Sequence, residues 1–198
     1  MRLRDLEAAL DGVPDFPAPD PAREQYRTPS RVGALFLKEA HADGALAGCD
    51  VLDLGCGTGT LSRGASMLGG RVLGVDADAS AVDIAKEAVP EARFEVADLA
   101  TWSSPDVDTV VMNPPFGSQR KYADRVFHER AVQATAARSG TVWFLQQPVN
   151  ERFLAAYYKE RGLDVERVGL WDYPLDVRFD FHTEAVRGIQ VGGYVATR

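Results

Sequence analysis

Asn113, Pro114, Pro115 and Phe116 follow one another at the end of the apolar run over residues 107–112. Two prolines fix φ and carry no N–H, so a strand that reaches them must stop, and the groups beside them are held in a preset geometry. The Asn113 side-chain carbonyl and the Pro114 backbone carbonyl can both face one point and accept hydrogen bonds there. Phe116 can lie flat as a stacking platform. Two acceptors and a platform suit a planar substrate with an exocyclic amino group, such as adenine. A Pro-Pro pair alone reads as a strand-ending turn; the asparagine before it and the phenylalanine after it point to chemistry.

A second group of residues suits a nucleotide. Residues 49–54 read as a buried strand leading into Asp53-Leu54-Gly55-Cys56-Gly57-Thr58-Gly59-Thr60-Leu61, followed by a helix over 61–68. Strand, glycine-rich turn and helix make the opening of a Rossmann-like sheet, where the glycines permit a tight turn and close approach of backbone to ligand. Residues 71–76 form a next strand ending in Asp76, an acid placed to hold both ribose hydroxyls of an adenosine; its plainer role is to cap the following helix. A third strand over 92–97 closes in Asp98-Leu99, an acid and an apolar residue that could meet the amino group and ring of a bound adenine, or simply cap a loop.

These residues need elements to position them. Residues 2–10 have helical apolar spacing (Leu3, Leu6, Leu10). Residues 12–21 carry four prolines and read as a linker wrapping the surface. Thr28 followed by Pro29 predicts an N-cap with proline at the first helical position, the helix running to about residue 42. Gln25 and Tyr26, just outside it, are free to reach a ligand. Helices follow over 79–89, 124–138 and 150–161, a fifth strand over 141–145, and two closing strands over 165–173 and 188–197 as an antiparallel hairpin at one sheet edge. Alternating strands and helices give an α/β fold: a seven-stranded mostly parallel sheet with an antiparallel closing strand and helices on both faces. Ligands then gather at the carboxyl ends of the strands, where Gly55 to Gly59, Asp76, Asp98 and Asn113 all fall.

Composition narrows the classes. At 198 residues the chain can bury a sizeable core, and 29 acidic against 22 basic residues give a net charge of −7, which weighs against a phosphate-coating basic protein. Cys49 and Cys56 are the only cysteines, and His41, His128 and His182 are scattered, which excludes a disulfide scaffold and shows no metal cluster. No leader and no membrane-spanning run are seen, so a reduced, cytoplasmic protein is expected.

Asp53-x-Gly-x-Gly-x-Gly59 resembles the cofactor loop of class I S-adenosylmethionine-dependent methyltransferases, and the tetrapeptide from Asn113 resembles the catalytic motif of those that methylate exocyclic nitrogens. Gln25-Tyr-x-Thr28, residues 52–68, residues 108–117 and Phe181-His182 extend the likeness to the methyltransferase-like-five family of ribosomal RNA adenine-N6 methyltransferases, from about residue 24 onward. The resemblance implies an enzyme that methylates N6 of a flipped-out adenine in ribosomal RNA, the small-subunit RNA in particular. It implies a division into residues 1–22, an N-terminal extension, and residues 23–198, one methyltransferase domain. The implied catalytic residues are Asn113, Pro114, Pro115 and Phe116. S-adenosyl-L-methionine, leaving as S-adenosyl-L-homocysteine, would be held by Gln25, Thr28, Asp53, Gly55, Cys56, Gly57, Gly59, Leu61, Asp76, Ala77, Asp98, Leu99 and Asn113. RNA would meet Tyr26, Arg27, Arg31, Arg120, Lys121, Phe181 and His182, with Arg23 and Arg125 as further cations near the site, although either cluster of cations could equally be a solvated face. The family also works with a small zinc-binding activator subunit, and the edge strand Arg93–Val96, with Phe94, is where it is expected to pair, the alternative being that the chain's own loops cover that edge. Thr58 stands where relatives often have cysteine, residues 118–122 form a reworked loop, and Gln146 replaces a histidine, so no family role passes to Gln146.

Three rivals share parts of this pattern. A protein-glutamine N5-methyltransferase would use the same cofactor loop, but that family usually has tyrosine at the Phe116 position and an extra substrate domain. A DNA adenine methyltransferase would need a target-recognition domain. A non-catalytic nucleotide-binding subunit would not need Asp53, Gly55, Asp76 and Asn113 intact.

Overall fold

A computed structural model describes residues 1–117, 122–174 and 188–198. Seven strands form one sheet in the order β3-β2-β1-β4-β5-β7-β6. They are β1 (Asp50–Leu54), β2 (Arg71–Asp76), β3 (Arg93–Val96), β4 (Thr109–Met112), β5 (Thr141–Gln146), β6 (Asp164–Tyr173) and β7 (Ile189–Thr197). The first five are mutually parallel; β7 runs antiparallel to β5, and β6 antiparallel to β7. β4 is buried at every position, the continuous apolar run expected of a strand covered on both faces.

Strand alternation makes two cores. Val51 and Val111 face a cluster with Leu6, Leu10, Phe36 and Leu37 from α1 (Leu3–Asp11) and α2 (Ser30–Ala42) and Leu61 from α3 (Thr60–Met67). Leu52, Leu54, Val110 and Met112 face the opposite cluster, with Ala131 of α5 (Arg125–Ala136) and Leu154 and Tyr158 of α6 (Glu151–Lys159). α4 (Ala79–Ala88) packs on β2 and β3. The N-terminal helix shares the main core, because Leu6 and Leu10 are fully buried in it.

Two expectations need correction. Thr28 is not an N-cap: α2 begins at Ser30 with Pro29 at the cap position and no side-chain cap bond. A residue before proline is kept extended, and the Thr28 hydroxyl is used elsewhere. Residues 12–21 do more than wrap the surface, for they carry Phe16 into the cleft described below. Elsewhere element ends differ by a residue or two. Cys49 lies before β1, and residues 107–108 lie before β4, where the Val107 amide bonds the Ala134 carbonyl at the end of α5 instead of a strand.

Candidate active site

The carboxyl ends of β1, β2, β3 and β4 open on one cleft of about 680 Å³, within the range of small-molecule sites. Its lining includes Gly55, Gly57, Asp76, Ala77, Asp98, Leu99, Asn113 and Pro115, together with Phe16, Glu24, Gln25 and Tyr26. A smaller recess beside it is lined by Thr28, Asp53, Cys56, Leu61 and Asn113. Gly55, Gly57, Asp76, Ala77, Asp98, Leu99, Asn113 and Pro115 meet at one place because parallel strands deliver their ends to the same side of a sheet, and Gln25, Tyr26 and Thr28 join them from the segment before α2.

The glycine loop is held by conformation. Gly55, Gly57 and Gly59 have φ of 71°, 53° and 96°, the left-handed region that a side chain resists. Side chains close over it from two directions. An added Cβ at Gly55 would come within 2.6 Å of Phe127, and one at Gly57 within 2.7 Å of Phe16. The Gly57 amide donates to Asp76 Oδ2 at 2.9 Å, and Asp76 Oδ1 accepts from the Asp78 amide at 2.9 Å. Each carboxylate oxygen keeps a further acceptor site. Burial is the main reason the Asp76 carboxyl is held above its usual range.

Asp53, only 1% exposed, accepts from Ser62 Oγ at 2.6 Å. Burial pushes its pKa up to about 7, with the nearby Asp76 charge adding to the shift and the Ser62 bond opposing it. Asp53 and Asp76 therefore make an acidic patch at the glycine loop that a cationic ligand would relieve, which fits a sulfonium- and ammonium-bearing cofactor. Cys56 is buried beside them, its thiol raised by burial. Asp98 Oδ1 accepts from the Ala100 amide at 2.9 Å, so Asp98 closes its own turn while lining the cleft.

Asn113 is fixed by two hydroxyls. Its Nδ2 donates to Thr28 Oγ1 at 3.0 Å and to the Tyr173 hydroxyl at 3.1 Å. Its Oδ1 is buried without a partner among the described residues. An orphaned buried acceptor is costly, so this carbonyl is an acceptor waiting for a donor. Tyr173 is fully buried at the end of β6, and burial keeps its phenol protonated. Pro114 is buried, Pro115 half-buried. The Phe116 ring packs edge-on against Tyr173, centroids 5.8 Å apart, and the Phe116 amide donates to Glu24 Oε2 at 2.6 Å.

Glu24, Tyr173, Phe16 and Phe127 escaped sequence reading. Tyr173 is sixty residues from Asn113 in the chain, and no local pattern joins them. Glu24 stands beside Gln25, Tyr26 and Thr28 and shared their signal, but its left-handed φ of 53° could not be foreseen for a glutamate.

Several expected ligand contacts are otherwise engaged. Gln25 is not free: its Nε2 donates to Asp78 Oδ2 and its Oε1 accepts from the Asp20 amide, both at 2.8 Å. Arg27 Nη1 donates to the Val13 carbonyl at 2.7 Å, Arg31 pairs with Glu7 at 3.0 Å, and Arg23 with Asp20 at 3.4 Å. The entrance arginines tie residues 11–31 to themselves and to α1. Gln146 is fully buried and donates to Asp124, joining the end of β5 to the start of α5. Arg120, Lys121, Phe181 and His182 lie outside the described residues.

Residues 51–137 match a methyltransferase domain family. The chain is 31% identical to the rRNA N(6)-adenosine-methyltransferase Mettl5 of Drosophila melanogaster, across 96% of this chain and 94% of that one. It is 30% identical to METTL5 of Danio rerio, covering 96% of each. The crystal structure of PH1948 from Pyrococcus horikoshii, a candidate RNA methyltransferase, superposes with a TM-score of 0.90 at 34% identity, over 100% of this chain and 98% of that one. With the cofactor loop lining one cleft beside Asn113 and Pro115 of the asparagine-proline-proline-phenylalanine turn, the chain belongs to the family of these rRNA N6-adenosine methyltransferases.

Proposed function

We propose that this chain methylates N6 of an adenosine in ribosomal RNA, using S-adenosyl-L-methionine. The observation that carries the reading is the Asn113 amide: its donor side is occupied by Thr28 and Tyr173, and its buried carbonyl is left to accept from an amino group.

The residues divide the work as follows. Asp53, the backbone of Gly55 to Gly59, Asp76, Ala77, Asp98 and Leu99 would hold the cofactor. When bound, it supplies a methyl on a positively charged sulfur, which departs as a neutral thioether. The Asn113 and Pro114 carbonyls accept from the two N6 hydrogens of an adenine flipped out of its strand. The N6 lone pair is delocalised into the ring, and these two bonds favour a pyramidal nitrogen whose lone pair is directed along one line. Phe116 supports the base plane, and the Glu24 bond to its amide fixes the loop. Alignment of this kind can supply several kcal/mol of a barrier. One N6 proton passes to solvent water after the N–C bond has formed, when the nitrogen is cationic and strongly acidic, so no strong base is needed. Tyr173, a buried phenol, is suited to holding Asn113 and unsuited to taking a proton.

The edge strand β3 is the place for a small zinc-binding activator. Arg93, Glu95 and Val96 are exposed there, Phe94 is half-buried, and no described strand pairs with its outer side. An open edge of this kind invites strand addition. Among the described residues no helix is long and apolar enough to cross a membrane, and a cytoplasmic protein fits the reading.

The test incubates the chain, with and without such an activator, with ribosomal RNA and S-adenosyl-L-methionine, and reads digested nucleosides by mass spectrometry. N6-methyladenosine that appears with wild type and vanishes with Asn113→Ala is the expected result. Methylated glutamine in co-incubated protein, with no modified nucleoside, would replace the reading with a protein substrate.

A further inference from the structure

Outside the cleft, one stretch of surface carries aromatic rings and guanidinium groups in alternation. Tyr122 stands just before α5, 53% exposed, with a left-handed φ of 67°. The Arg125 guanidinium lies 3.9 Å above the Tyr122 ring centroid and 5.9 Å from that of Phe153, which is 49% exposed on α6. One helical turn further along α6, Tyr157 carries the Arg161 guanidinium 3.7 Å above its ring. Val149, 80% exposed, precedes this row at the carboxyl end of β5.

The row is rigid beneath and open above. Tyr157 packs against buried His128, which bonds the Tyr158 hydroxyl at 2.8 Å, and Tyr158 stacks on Phe144 at 5.4 Å. Most exposed arginines here close on a carboxylate, as Arg63 does on Glu91 at 2.7 Å and Arg138 on Asp50 at 2.7 Å. Arg125 forms no ion pair among the described residues and lies on rings instead. Glu129, Asp124 next to Arg125, and the Arg161 neighbour Glu160, 3.7 Å away, are acids beside the row. The row also begins where the cleft ends, since Ala123, Val126 and Phe127 of the same turn line the cleft.

Two exposed rings and the half-buried Tyr157, interleaved with planar cations, match the chemistry of an unpaired nucleic-acid strand: bases stack on rings and guanidinium planes while the positive charge meets phosphate. A protein partner would be served by a continuous apolar patch, which the interposed arginines break up. We propose that Tyr122, Arg125, Phe153, Tyr157 and Arg161 form a stacking track for single-stranded RNA flanking the adenosine in the cleft. The proposal rests on the RNA-methylation reading for its substrate, and Arg125 supplies a strand contact that the entrance arginines, bound to the protein's own acceptors, do not.

The test measures binding and turnover separately. A labelled single-stranded RNA of about sixteen nucleotides and its duplex are titrated by fluorescence anisotropy into the chain saturated with S-adenosyl-L-homocysteine. Phe153→Ala should weaken single-strand binding about ten-fold, with little effect on the duplex or on the salt dependence. Arg125→Ala should weaken binding and flatten the salt dependence, whereas Arg125→Lys should keep the salt dependence and still lose affinity, because an ammonium does not stack. In methylation assays the same variants should raise KM for RNA and leave kcat and cofactor affinity unchanged. Unchanged RNA affinity in both alanine variants, with wild-type thermal stability, overturns the track, as would equal losses on single strand and duplex. Absence of N6-methyladenosine with wild type overturns the activity instead, and the anisotropy series still decides the track.

Discussion

The two walls of the cleft are built by opposite means. One wall is the ends of β1, β2 and β4, where the backbone ladder sets positions: Leu54 pairs with Val75 and with Met112, so Gly55, Asp76 and Asn113 emerge side by side. The other wall is the segment before α2, which has no ladder. It is fastened by side chains: Phe16 on Gly57, Gln25 to Asp78, Arg27 to Val13, and Glu24 to the Phe116 amide. Asn113, at the end of β4, joins the first wall to the second through Thr28, and is tied to the end of β6 through Tyr173. A sheet end tolerates loss of one side chain, whereas a wall made of latches opens latch by latch. Changes in the first wall should therefore act on turnover at the atom they touch, and changes in the second should act on closure.

The sharpest break of the contrast is Asn113→Ala. It removes the acceptor proposed for the amino group without cutting the sheet, and should lower kcat about a hundred- to a thousand-fold, the size seen when one well-placed transition-state hydrogen bond is lost. Cofactor affinity should change little. Equal loss of cofactor binding, measured by calorimetry, would mean that Asn113 serves mainly to shape the site.

Tyr173→Phe comes next. It leaves Asn113 with Thr28 alone, and the amide regains freedom to turn. A lost buried hydrogen bond of about 1 kcal/mol corresponds to a rate loss of roughly five-fold and, for a chain of this size, a fall in Tm of roughly 2–4 °C. Turnover and melting temperature measured on one preparation separate positioning from stability: if kcat is unchanged while Tm falls, Tyr173 is only core.

Glu24→Gln tests the latched wall. The amide can still accept from Phe116 N–H, without the charge that strengthens the bond. A loss of two- to three-fold in kcat/KM is expected from a change of this order, with Glu24→Ala losing more. If both variants match wild type, the segment before α2 is a cover and its grip on the catalytic turn has no consequence.

How much of this was legible follows the same division. The strand-end wall could be read because each of its residues follows a buried run directly: residues 107–112 hand on to Asn113, residues 71–75 to Asp76, and glycine spacing marks the loop. Parallel topology then brings those ends together without further information. The latched wall was seen only in outline. Gln25, Tyr26 and Thr28 stood out as a group, but Thr28 was read as a helix cap because Thr-Pro commonly is one, and tertiary contact with Asn113 overrode that local preference. Phe16 lay hidden in a proline-rich stretch, and Glu24 required a backbone conformation that its residue type disfavours. Tyr173 depends on β6 pairing along the sheet edge, a long-range fact that no short window contains. The track along α5 and α6 was not legible: Arg125 stood out only as a cation near the site, and no local pattern tells which of Tyr157 and Tyr158 turns inward.

The effect that probes the floor of the cleft most directly acts on stability and not on turnover, and concerns Asp53. Its folded pKa is pushed from 3.8 up to about 7 by burial. The unfolded chain releases this proton near 3.8, and the folded chain holds it until about 7. Between those values the folded state binds more protons, so the contribution of Asp53 to stability is full below the lower value and is lost as pH rises toward the upper one. Asp53→Asn keeps an acceptor for Ser62 and cannot ionise. The variant should therefore gain on wild type in thermal melts as pH climbs from about 4 to 7, the gap levelling off above that. A bound cation stabilises the carboxylate and should narrow the gap, so S-adenosyl-L-methionine ought to help wild type more than the variant at neutral pH. Parallel pH profiles for the two proteins without ligand would show that Asp53 is ionised throughout, and the acidic floor would then owe its character to Asp76 alone.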